Sequence, residues 1–348
     1  MSYGFKLVQW NRYKIGYDIA LLVLAGAYIT AFIQLGPMLW PGDQAVDPEI
    51  HDMRAFGSCA FLMLTLILCI GPLARLDPRF LPFLYNRRHF GVMTCGMALV
   101  HAYFVIDWYH YHGKIGPLLS LLASNPRYLS FSAFPFEVLG IAALLIMLVM
   151  AATSHDLWLA VLKPPVWKAI HMLVYLAYGL LVMHVMLGAV QSEKSPILPT
   201  LVLACFVTVA TLHILAAWRE QETDAGKAPD AGWLDVGPAE GVPDGAAVIV
   251  APAQGERIAV FRNGDRLSAL SNVCEHQNGP LGEGRIIDGC ITCPWHGYQY
   301  RAEDGCSPPP FQEKVSTFRL RLAQGRVQVD PHPLPPGTFV EPLMVGAP

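Results

Sequence analysis

Two short motifs near the C-terminus bring together the residue types that bind iron. Residues 274–276 read Cys-Glu-His, and after sixteen intervening residues positions 293–297 read Cys-Pro-Trp-His-Gly. Two thiolates and two imidazoles on separate loops suit a [2Fe–2S] centre with cysteines on one iron and histidines on the other. A structural zinc site is the alternative, but the C-x-H spacing and the C-P-W-H-G context argue against it. The predicted ligands are Cys274, His276, Cys293 and His296.

Histidines within long apolar segments form a second group of candidate ligands, because ionisable side chains inside a membrane are costly and mark functional sites. His171 and His184 are thirteen residues apart, which is about 20 Å along a helix. This separation would place one histidine near each side of the hydrocarbon core, as in proteins that hold two stacked b-type haems. We expect His101 to share the outer haem with His184, whereas His213 is expected only to hydrogen-bond between helices.

The inner partner of His171 stays open at the level of the sequence. His89 could be a ligand of an inner haem. Arg87 lies fourteen residues before His101, close to four helical turns and so nearly on the same face. An arginine is not a conventional haem ligand, but its guanidinium could pair with a haem propionate. The sequence therefore predicts haem b in one or two copies.

The composition indicates a membrane protein with a soluble part. Hydrophobic residues make up 53% of the chain and charged residues only 15%, which is too apolar for a single soluble domain. The net charge of −3 gives no reason to expect a nucleic-acid partner. Six apolar segments are about 20 residues long, the length needed to span a bilayer. They run over 17–36, 54–74, 89–109, 133–153, 167–190 and 197–218.

The basic residues between these segments predict the orientation. Ten of them fall on one side of the membrane, namely Lys6, Arg12, Lys14, Arg75, Arg79, Arg87, Arg88, Lys163, Lys168 and Arg219. Four fall on the other side, namely Arg54, Lys114, Arg127 and Lys194. Because basic loops stay cytoplasmic, we expect a multi-pass protein of the cytoplasmic membrane with both termini in the cytoplasm.

The remainder of the chain has the composition of a soluble β domain. Residues 219–231 are polar and are predicted to form a linker. Short β-rich runs follow, with a hairpin turn at Asn263-Gly264. Cys290 and Cys306 could form a disulfide, although a reducing compartment would argue against it. The predicted fold is a multi-domain membrane protein with a six-helix transmembrane bundle at 1–218, the linker, a small all-β domain at 232–335 and a tail at 336–348.

The membrane half resembles the ferric-reductase-like transmembrane family over roughly residues 15–218. Within that family it is most similar to the haem-binding membrane subunits of periplasmic methionine sulfoxide reductase systems. The resemblance implies that His101, His171 and His184 bind haem b. No G-x-G-x-x-G motif follows a predicted strand, so a nucleotide-binding domain is not expected. The resemblance rests on G-P-L at 71–73, R-R-H-F-G at 87–91 and His101, then on T-S at 153–154, Leu162, Trp167, His171, Tyr175 and His184.

Residues 232–331 resemble Rieske ferredoxins and the Rieske domains of ring-hydroxylating oxygenases, which implies the ligand set given above. The Rieske proteins of cytochrome bc complexes have an additional cysteine in each loop, joined as a disulfide, and a serine after the last glycine. Here Tyr298 stands where the serine hydroxyl would donate to a bridging sulfide. Because the cluster would receive fewer hydrogen bonds, we expect its reduction potential toward the low end of the Rieske range.

Together these features predict an oxidoreductase or an electron-transfer subunit. Electrons would enter at the Rieske cluster from a cytoplasmic donor and pass through b-type haem to an acceptor on the outer side. That acceptor is expected to be a protein, a metal such as ferric iron, or quinone. One alternative is a quinol-oxidising enzyme with electrons flowing in the reverse direction. A second alternative is a haem-bearing membrane anchor that docks a separate reductase or oxygenase.

Overall fold

The structure combines a helical part and a β-rich part that are joined near residue 224. It is a computed structural model. The residues that it describes are 12–39, 47–84, 87–111, 115–123, 125–130, 133–154, 158, 162, 164–192, 196–224, 232–276, 279–295 and 297–346.

Six helices in the described part of the chain are long and apolar enough to cross a membrane, which confirms the prediction of six spans. Short helices at Leu81–Leu84, Pro117–Ala123 and Ala189–Ser192 lie in the connections between them. The six long helices are α1 (Arg12–Leu39), α2 (Pro48–Leu76), α3 (Arg87–His110), α4 (Phe136–Thr153), α5 (Pro164–Leu187) and α6 (Ile197–Asp224).

Helix α2 lies at the centre of the bundle. Its most apolar window is 61% buried inside the protein, whereas the windows of the other five helices are 11–17% buried. Polar side chains on α2 find partners within the bundle, as expected where no water is present. The Thr65 hydroxyl donates to the Phe61 carbonyl at 2.9 Å and lies 3.2 Å from the Tyr178 hydroxyl of α5. The central helix therefore contacts the helices that hold the candidate haem ligands.

The described residues of the β-rich part form three antiparallel sheets, which confirms the prediction of an all-β domain. One has the order β1-β10-β9, a second has β11-β4-β3-β2 with β8 also on β4, and a third has β5-β6-β7. The β3–β4 hairpin closes as expected, with Asn263 opposite Arg266 and Gly264 at a positive φ of 63°. The strands are β1 (Leu234–Pro238), β2 (Ala247–Val250), β3 (Ile258–Asn263), β4 (Arg266–Ser271), β5 (Arg285–Ile287), β6 (Cys290–Thr292), β7 (Gln299–Arg301), β8 (Thr317–Phe318), β9 (Leu320–Ala323), β10 (Arg326–Val329) and β11 (Leu343–Met344).

Two segment boundaries in the structure differ from those expected. Helix α6 continues to Asp224, so residues 219–224 are helical rather than part of the linker. Strand β11, in the segment expected to be a tail, pairs with the edge of β4. The expected tail contributes a strand because a free sheet edge presents backbone groups that need hydrogen-bond partners.

Candidate metal centres

The two cysteine motifs lie on two loops of the β-rich part that are each closed by a backbone hydrogen bond. The first loop follows β4, and the Cys274 amide donates to the Gly279 carbonyl at 2.9 Å. The second loop follows β6, and the Cys293 amide donates to the Tyr298 carbonyl at 2.8 Å. Both cysteine side chains are buried, with 1% of each residue exposed. Closed loops of this kind present a thiol and an imidazole from a fixed backbone.

The first loop packs directly against the second. A side chain at Gly279 would place its Cβ 2.7 Å from the Cys293 sulfur and 3.2 Å from the Trp295 ring. Glycine is therefore needed at position 279 to let the second loop approach this closely. The close approach brings the Cys293 thiol against the first loop, as a [2Fe–2S] cluster shared by the two loops would require.

The imidazole of His276 is held in place by an aromatic ring. It stacks on Tyr298 with ring centres 4.8 Å apart and planes 12° from parallel. Its Nδ1 atom is buried. A buried nitrogen in this position fits a metal ligand. The fourth predicted ligand, His296, lies outside the residues that the structure describes.

Within the ranges given above, no three His, Cys, Asp or Glu side chains are grouped around one possible metal ion. This finding is compatible with the predicted centres. Each iron of a cluster with mixed ligands takes only two protein side chains. A haem held by two histidines would likewise take only two protein side chains.

A second tyrosine contributes to the cluster site and was missed in the sequence analysis. The Tyr300 hydroxyl lies 3.4 Å from the Cys274 sulfur. Burial, followed by the nearby Cys274, raises the pKa of Tyr300, so the phenol keeps its proton and can donate to a thiolate. The Tyr298 hydroxyl instead donates to the Glu313 carboxylate. The expectation of a low reduction potential is based on the missing hydroxyl donor at position 298 and does not include the Tyr300 hydroxyl, which lies near the Cys274 sulfur.

In the membrane part, His101 of α3 and His184 of α5 face each other. Their ring centres lie 6.4 Å apart with the ring planes at 85°. Histidine imidazoles are common ligands of haem iron, and these two rings are the residues that would hold one in the membrane part. The geometry of this pair thus fits a single haem iron between the two rings.

The two histidines are held in the same way by their neighbouring helices. Nδ1 of His101 donates to the Met53 carbonyl of α2 at 2.9 Å, and Nδ1 of His184 donates to the Phe136 carbonyl of α4 at 2.8 Å. A carbonyl only accepts, so both protons must be on Nδ1, which leaves Nε2 of each ring as the nitrogen available to a metal.

A glycine lies one helical turn after each of these carbonyls. A Cβ at Gly57 would lie 2.8 Å from the His101 ring, and a Cβ at Gly140 would lie 2.9 Å from the His184 ring. Each glycine allows its histidine ring to lie against the backbone of the next helix. Neither glycine carries a recognisable motif, and only the matched spacing from Met53 to Gly57 and from Phe136 to Gly140 could have indicated them.

His171 has different surroundings. Its Nδ1 donates to the Trp167 carbonyl of its own helix at 3.0 Å, its Nε2 lies 3.3 Å from the Ser154 hydroxyl, and its ring stacks on Trp167. His89, proposed as an inner partner, is paired instead with Asp18 of α1 at 2.8 Å. The structure therefore does not bring His171 and His89 together as it does His101 and His184.

His213 of α6 accepts a hydrogen bond from Tyr175 of α5, with 3.1 Å between Nε2 and the phenol oxygen. Tyr175 also lies at one end of an apolar groove of about 660 Å³ along α5. The groove has its other end at the segment that contains Tyr128 and Phe134. An apolar groove with a polar pair at its end suits a lipid-soluble molecule that has a polar head.

Arg87, at the first residue of α3, contacts the cluster loop rather than the His101 region. Its guanidinium carbon lies 5.2 Å from the centre of the Trp295 ring, within the range of a cation–π interaction. Trp295 is the residue between Pro294 and His296 in the second motif. The helical part and the cluster loop are thus in direct contact.

The remaining cysteines give no further metal site. Cys290 and Cys306 are both free thiols, so the disulfide that the sequence left open is not formed. The four cysteines of the helices, namely Cys59, Cys69, Cys95 and Cys205, are buried and free as well.

Comparison with known families assigns both parts of the chain. Residues 56–182 match the family described as ferric reductase like transmembrane component, and residues 232–319 match the Rieske [2Fe-2S] domain family. The first range contains His89, His101 and His171 and ends two residues before His184, and the second contains all four candidate cluster ligands.

The relatives described here are similar over 19–28% of this chain. The anthranilate 1,2-dioxygenase ferredoxin subunit of Burkholderia cepacia is 38% identical over 74 residues, covering 21% of this chain and 68% of that protein. Cholesterol 7-desaturase of Ciona intestinalis is 38% identical over 68 residues, which are 19% of this chain but only 14% of the desaturase. The solved Sphingomonas yanoikuyae B1 ferredoxin aligns with a TM-score of 0.27 and 26% identity over 28% of this chain and 97% of that one. By its C-terminal part this chain belongs to the Rieske [2Fe-2S] domain family, and residues 56–182 of its helical part match a ferric-reductase-like transmembrane domain.

Proposed function

We propose that this protein carries electrons across the membrane that its helices span. Electrons enter at the Rieske domain on the cytoplasmic side and leave toward an acceptor on the opposite side. The observation that carries this proposal is that α3 connects the two candidate redox sites. Arg87 at its start contacts the cluster loop, and His101, fourteen residues later, is about 21 Å further along the helix.

A [2Fe–2S] cluster and a b-type haem supply one-electron chemistry when they are bound. The protein's own residues determine where that chemistry takes place. Cys274, His276, Cys293 and His296 hold the cluster, and the loop closed on Gly279 excludes water from the thiols. His101 and His184 hold a haem, with their rings oriented by carbonyls of α2 and α4.

In this proposal His171 has a different role from His101 and His184. Both ring nitrogens of His171 contact protein groups, and no second histidine faces it within the part of the chain that the structure describes. We therefore favour one haem held by His101 and His184. His171 then provides a polar group between the cluster loop and that haem, since Arg87 and Arg88 lie close enough to interact with it electrostatically.

The direction of transfer is tested by ordering the centres by potential. In an anaerobic redox titration of the purified protein, inward-to-outward transfer requires the haem to have a potential equal to or above that of the cluster. A cluster whose EPR signal appears at a higher potential than haem reduction would contradict this direction. Stopped-flow mixing with a reductant that reacts at the cluster gives the same test kinetically, because the haem should then be reduced after the cluster.

A quinol-oxidising enzyme with reverse flow remains the second candidate, and one observation favours it. The apolar groove along α5 ends at Tyr175, whose hydroxyl donates to His213. A quinone head needs such hydrogen-bonding groups, and its isoprenoid tail needs an apolar groove. Reduction of the haem by a short-chain quinol, lost in Tyr175→Phe and His213→Leu variants that retain haem, would support this second candidate.

A further inference from the structure

We propose that the Rieske domain is positioned for electron transfer by a set of charged and aromatic contacts with the membrane helices, which we call the docking contact. It consists of Arg75, Arg87 and Glu220 on the helices and of Glu283, Trp295 and Arg257 on the Rieske domain. The proposal rests on the proposed function, because it assigns positioning residues to the transfer between the two domains.

The first element of the docking contact reaches the cluster loop itself. Arg87 lies over the ring of Trp295 at 5.2 Å. Trp295 in turn packs beside Gly279 of the first cluster loop, where a Cβ would come within 3.2 Å of its ring. Arg87 thus contacts the residue at which the two ligand loops meet.

The second element is an ion pair beside the same loops. Nε of Arg75, near the end of α2, lies 3.3 Å from Oε1 of Glu283. Glu283 belongs to the short helix Leu281–Glu283 that directly follows the first cluster loop. Its side chain is only 15% exposed, whereas that of Arg75 is 44% exposed. The carboxylate is therefore largely removed from water and depends on its partner more than the arginine does.

The third element joins the Rieske domain to α6. Glu220 pairs with Arg257, which directly precedes β3. Arg219, the preceding residue of α6, donates to the Leu76 carbonyl at the end of α2 at 2.6 Å. The ends of α2 and α6 are consequently linked, so that the three helices α2, α3 and α6 offer charged groups at one end of the bundle. Three separated points of contact fix both the position and the rotation of the domain.

This arrangement affects transfer because electron tunnelling between two centres falls steeply with their separation. A domain that was attached only through a flexible segment would present its cluster loops in many orientations. The docking contact selects the orientation in which the Trp295 loop faces the start of α3. Arg75 and Arg87 act on the distance between the centres, and they touch neither the haem ligands nor the cluster ligands among the described residues.

The experiment compares charge reversal with charge exchange in the full-length protein. The variants are Arg75→Glu, Glu283→Arg, the double exchange of both, Arg87→Leu, Trp295→Leu and Trp295→Phe. The matched control is Arg326→Gln, which removes an ion pair with Asp235 on the Rieske domain away from these contacts. Hydrogen–deuterium exchange of residues 279–295 reports docking without any turnover. Flash reduction of one centre reports transfer to the other, and EPR and haem spectra verify that both centres are present.

We expect Arg75→Glu and Arg87→Leu to slow transfer by about tenfold or more and to increase exchange of the cluster loops. Arg75→Glu leaves the part-buried Glu283 without its partner charge, and Arg87→Leu removes the cation–π contact with Trp295. The double exchange of Arg75 and Glu283 should restore both the transfer rate and the protection of the cluster loops from exchange. Trp295→Phe should keep most of the transfer rate and most of the protection, and Arg326→Gln should change neither. Unchanged rates and unchanged exchange in Arg75→Glu and Arg87→Leu would overturn the docking contact. If the wild type showed no transfer between centres while Arg75→Glu still lost protection, the proposed function would fail and the docking contact would stand.

Discussion

The imidazole rings of His101 and His184 lie 6.4 Å apart with their planes nearly perpendicular, each donating its Nδ1 proton to a carbonyl of a different helix. Two independent helix pairs, α2 with α3 and α4 with α5, thus hold the two rings next to each other, with Nε2 as the nitrogen that neither carbonyl uses. This relationship gives the membrane part a specific site, and the first two predictions follow from it.

The histidine pair predicts which substitutions remove haem. His101→Ala and His184→Ala should each eliminate the same b-type haem, because an iron held between two rings loses its coordination when either ring is absent. His171→Ala should retain that signal, since its ring nitrogens contact Trp167 and Ser154 instead. Reduced-minus-oxidised spectra with haem quantification provide the measurement. Loss of the whole haem signal in His171→Ala would show that His171 is an axial ligand.

The glycines beside the histidines predict a subtler effect. Gly57→Ala and Gly140→Ala would each place a methyl group less than 3 Å from a ligand ring. Overpacking of this kind costs about 1–3 kcal/mol, so we expect roughly tenfold weaker haem retention and altered low-spin EPR values. The matched controls are Gly96→Ala and Gly179→Ala, where an added Cβ meets nothing within 4 Å. Equal haem retention in all four variants would contradict the proposed site.

The tyrosines of the Rieske domain predict a shift in cluster potential. Tyr300→Phe removes the hydroxyl 3.4 Å from the Cys274 sulfur and should lower the potential on the order of 60 mV, a tenfold change in a one-electron equilibrium. Tyr298→Phe is the control, because its hydroxyl contacts Glu313 while its ring stacks on His276. EPR-monitored titration measures both. Equal shifts in the two variants would indicate that the Tyr300 hydroxyl does not act on the cluster.

The charge bias predicts the side of the membrane on which the Rieske domain lies. Ten basic residues on one side against four on the other predict that the C-terminus lies in the cytoplasm. A reporter fused after Pro348 should therefore be active only if it functions in the cytoplasm. A second reporter inserted within residues 40–46 should show the opposite behaviour. If the reporter after Pro348 worked only outside, the proposed electron path would be reversed.

Glu283 predicts a pH effect on docking that depends on Arg75. Burial raises the pKa of Glu283, and Arg75 opposes this increase, with Glu220 and Arg257 also nearby. A carboxyl with a raised pKa in the docked state favours docking when protonated and disfavours it as pH rises through that pKa. In Arg75→Gln the opposing charge is gone, so the pKa should rise further and docking should recover as pH is lowered from 7 toward the ordinary Glu range.

Hydrogen exchange of residues 279–295 across this pH range measures the effect. Adding Glu283→Gln to Arg75→Gln should remove the pH dependence, because the titrating group is then absent. Docking of Arg75→Gln that weakened as pH fell would show that a different group controls the contact.

The sequence was sufficient for features that depend on local pattern. Six apolar segments of spanning length and alternating β-rich runs are set by periodicity, and the structure has both. The metal motifs are recognisable because chemistry fixes the residue types and the short spacing within each loop. The hairpin at Asn263-Gly264 is predictable for the same reason, since the required positive φ favours glycine.

Features that depend on the packing of distant segments could not be read from the sequence. Gly57 and Gly140 are ordinary helix glycines until a histidine from another helix is placed against them. Tyr300 is one of thirteen tyrosines, and only the strand pairing of β6 with β7 brings its hydroxyl near Cys274. Arg87 was interpreted as a possible haem contact, whereas its guanidinium lies over Trp295, because the approach of one domain to another leaves no periodic signal.

The extension of α6 to Asp224 affects the kinetic order of the encounter between the Rieske domain and the membrane part. The helix continues past its apolar part and holds the Rieske domain through Glu220 and Arg257. A separate ferredoxin must find its membrane partner by diffusion, so its delivery rate depends on the amounts of both proteins. Here the two modules are made in a fixed one-to-one ratio, and a short tether gives an effective concentration on the order of millimolar. Their encounter is therefore unimolecular, and neither dilution nor changes in expression should alter its rate.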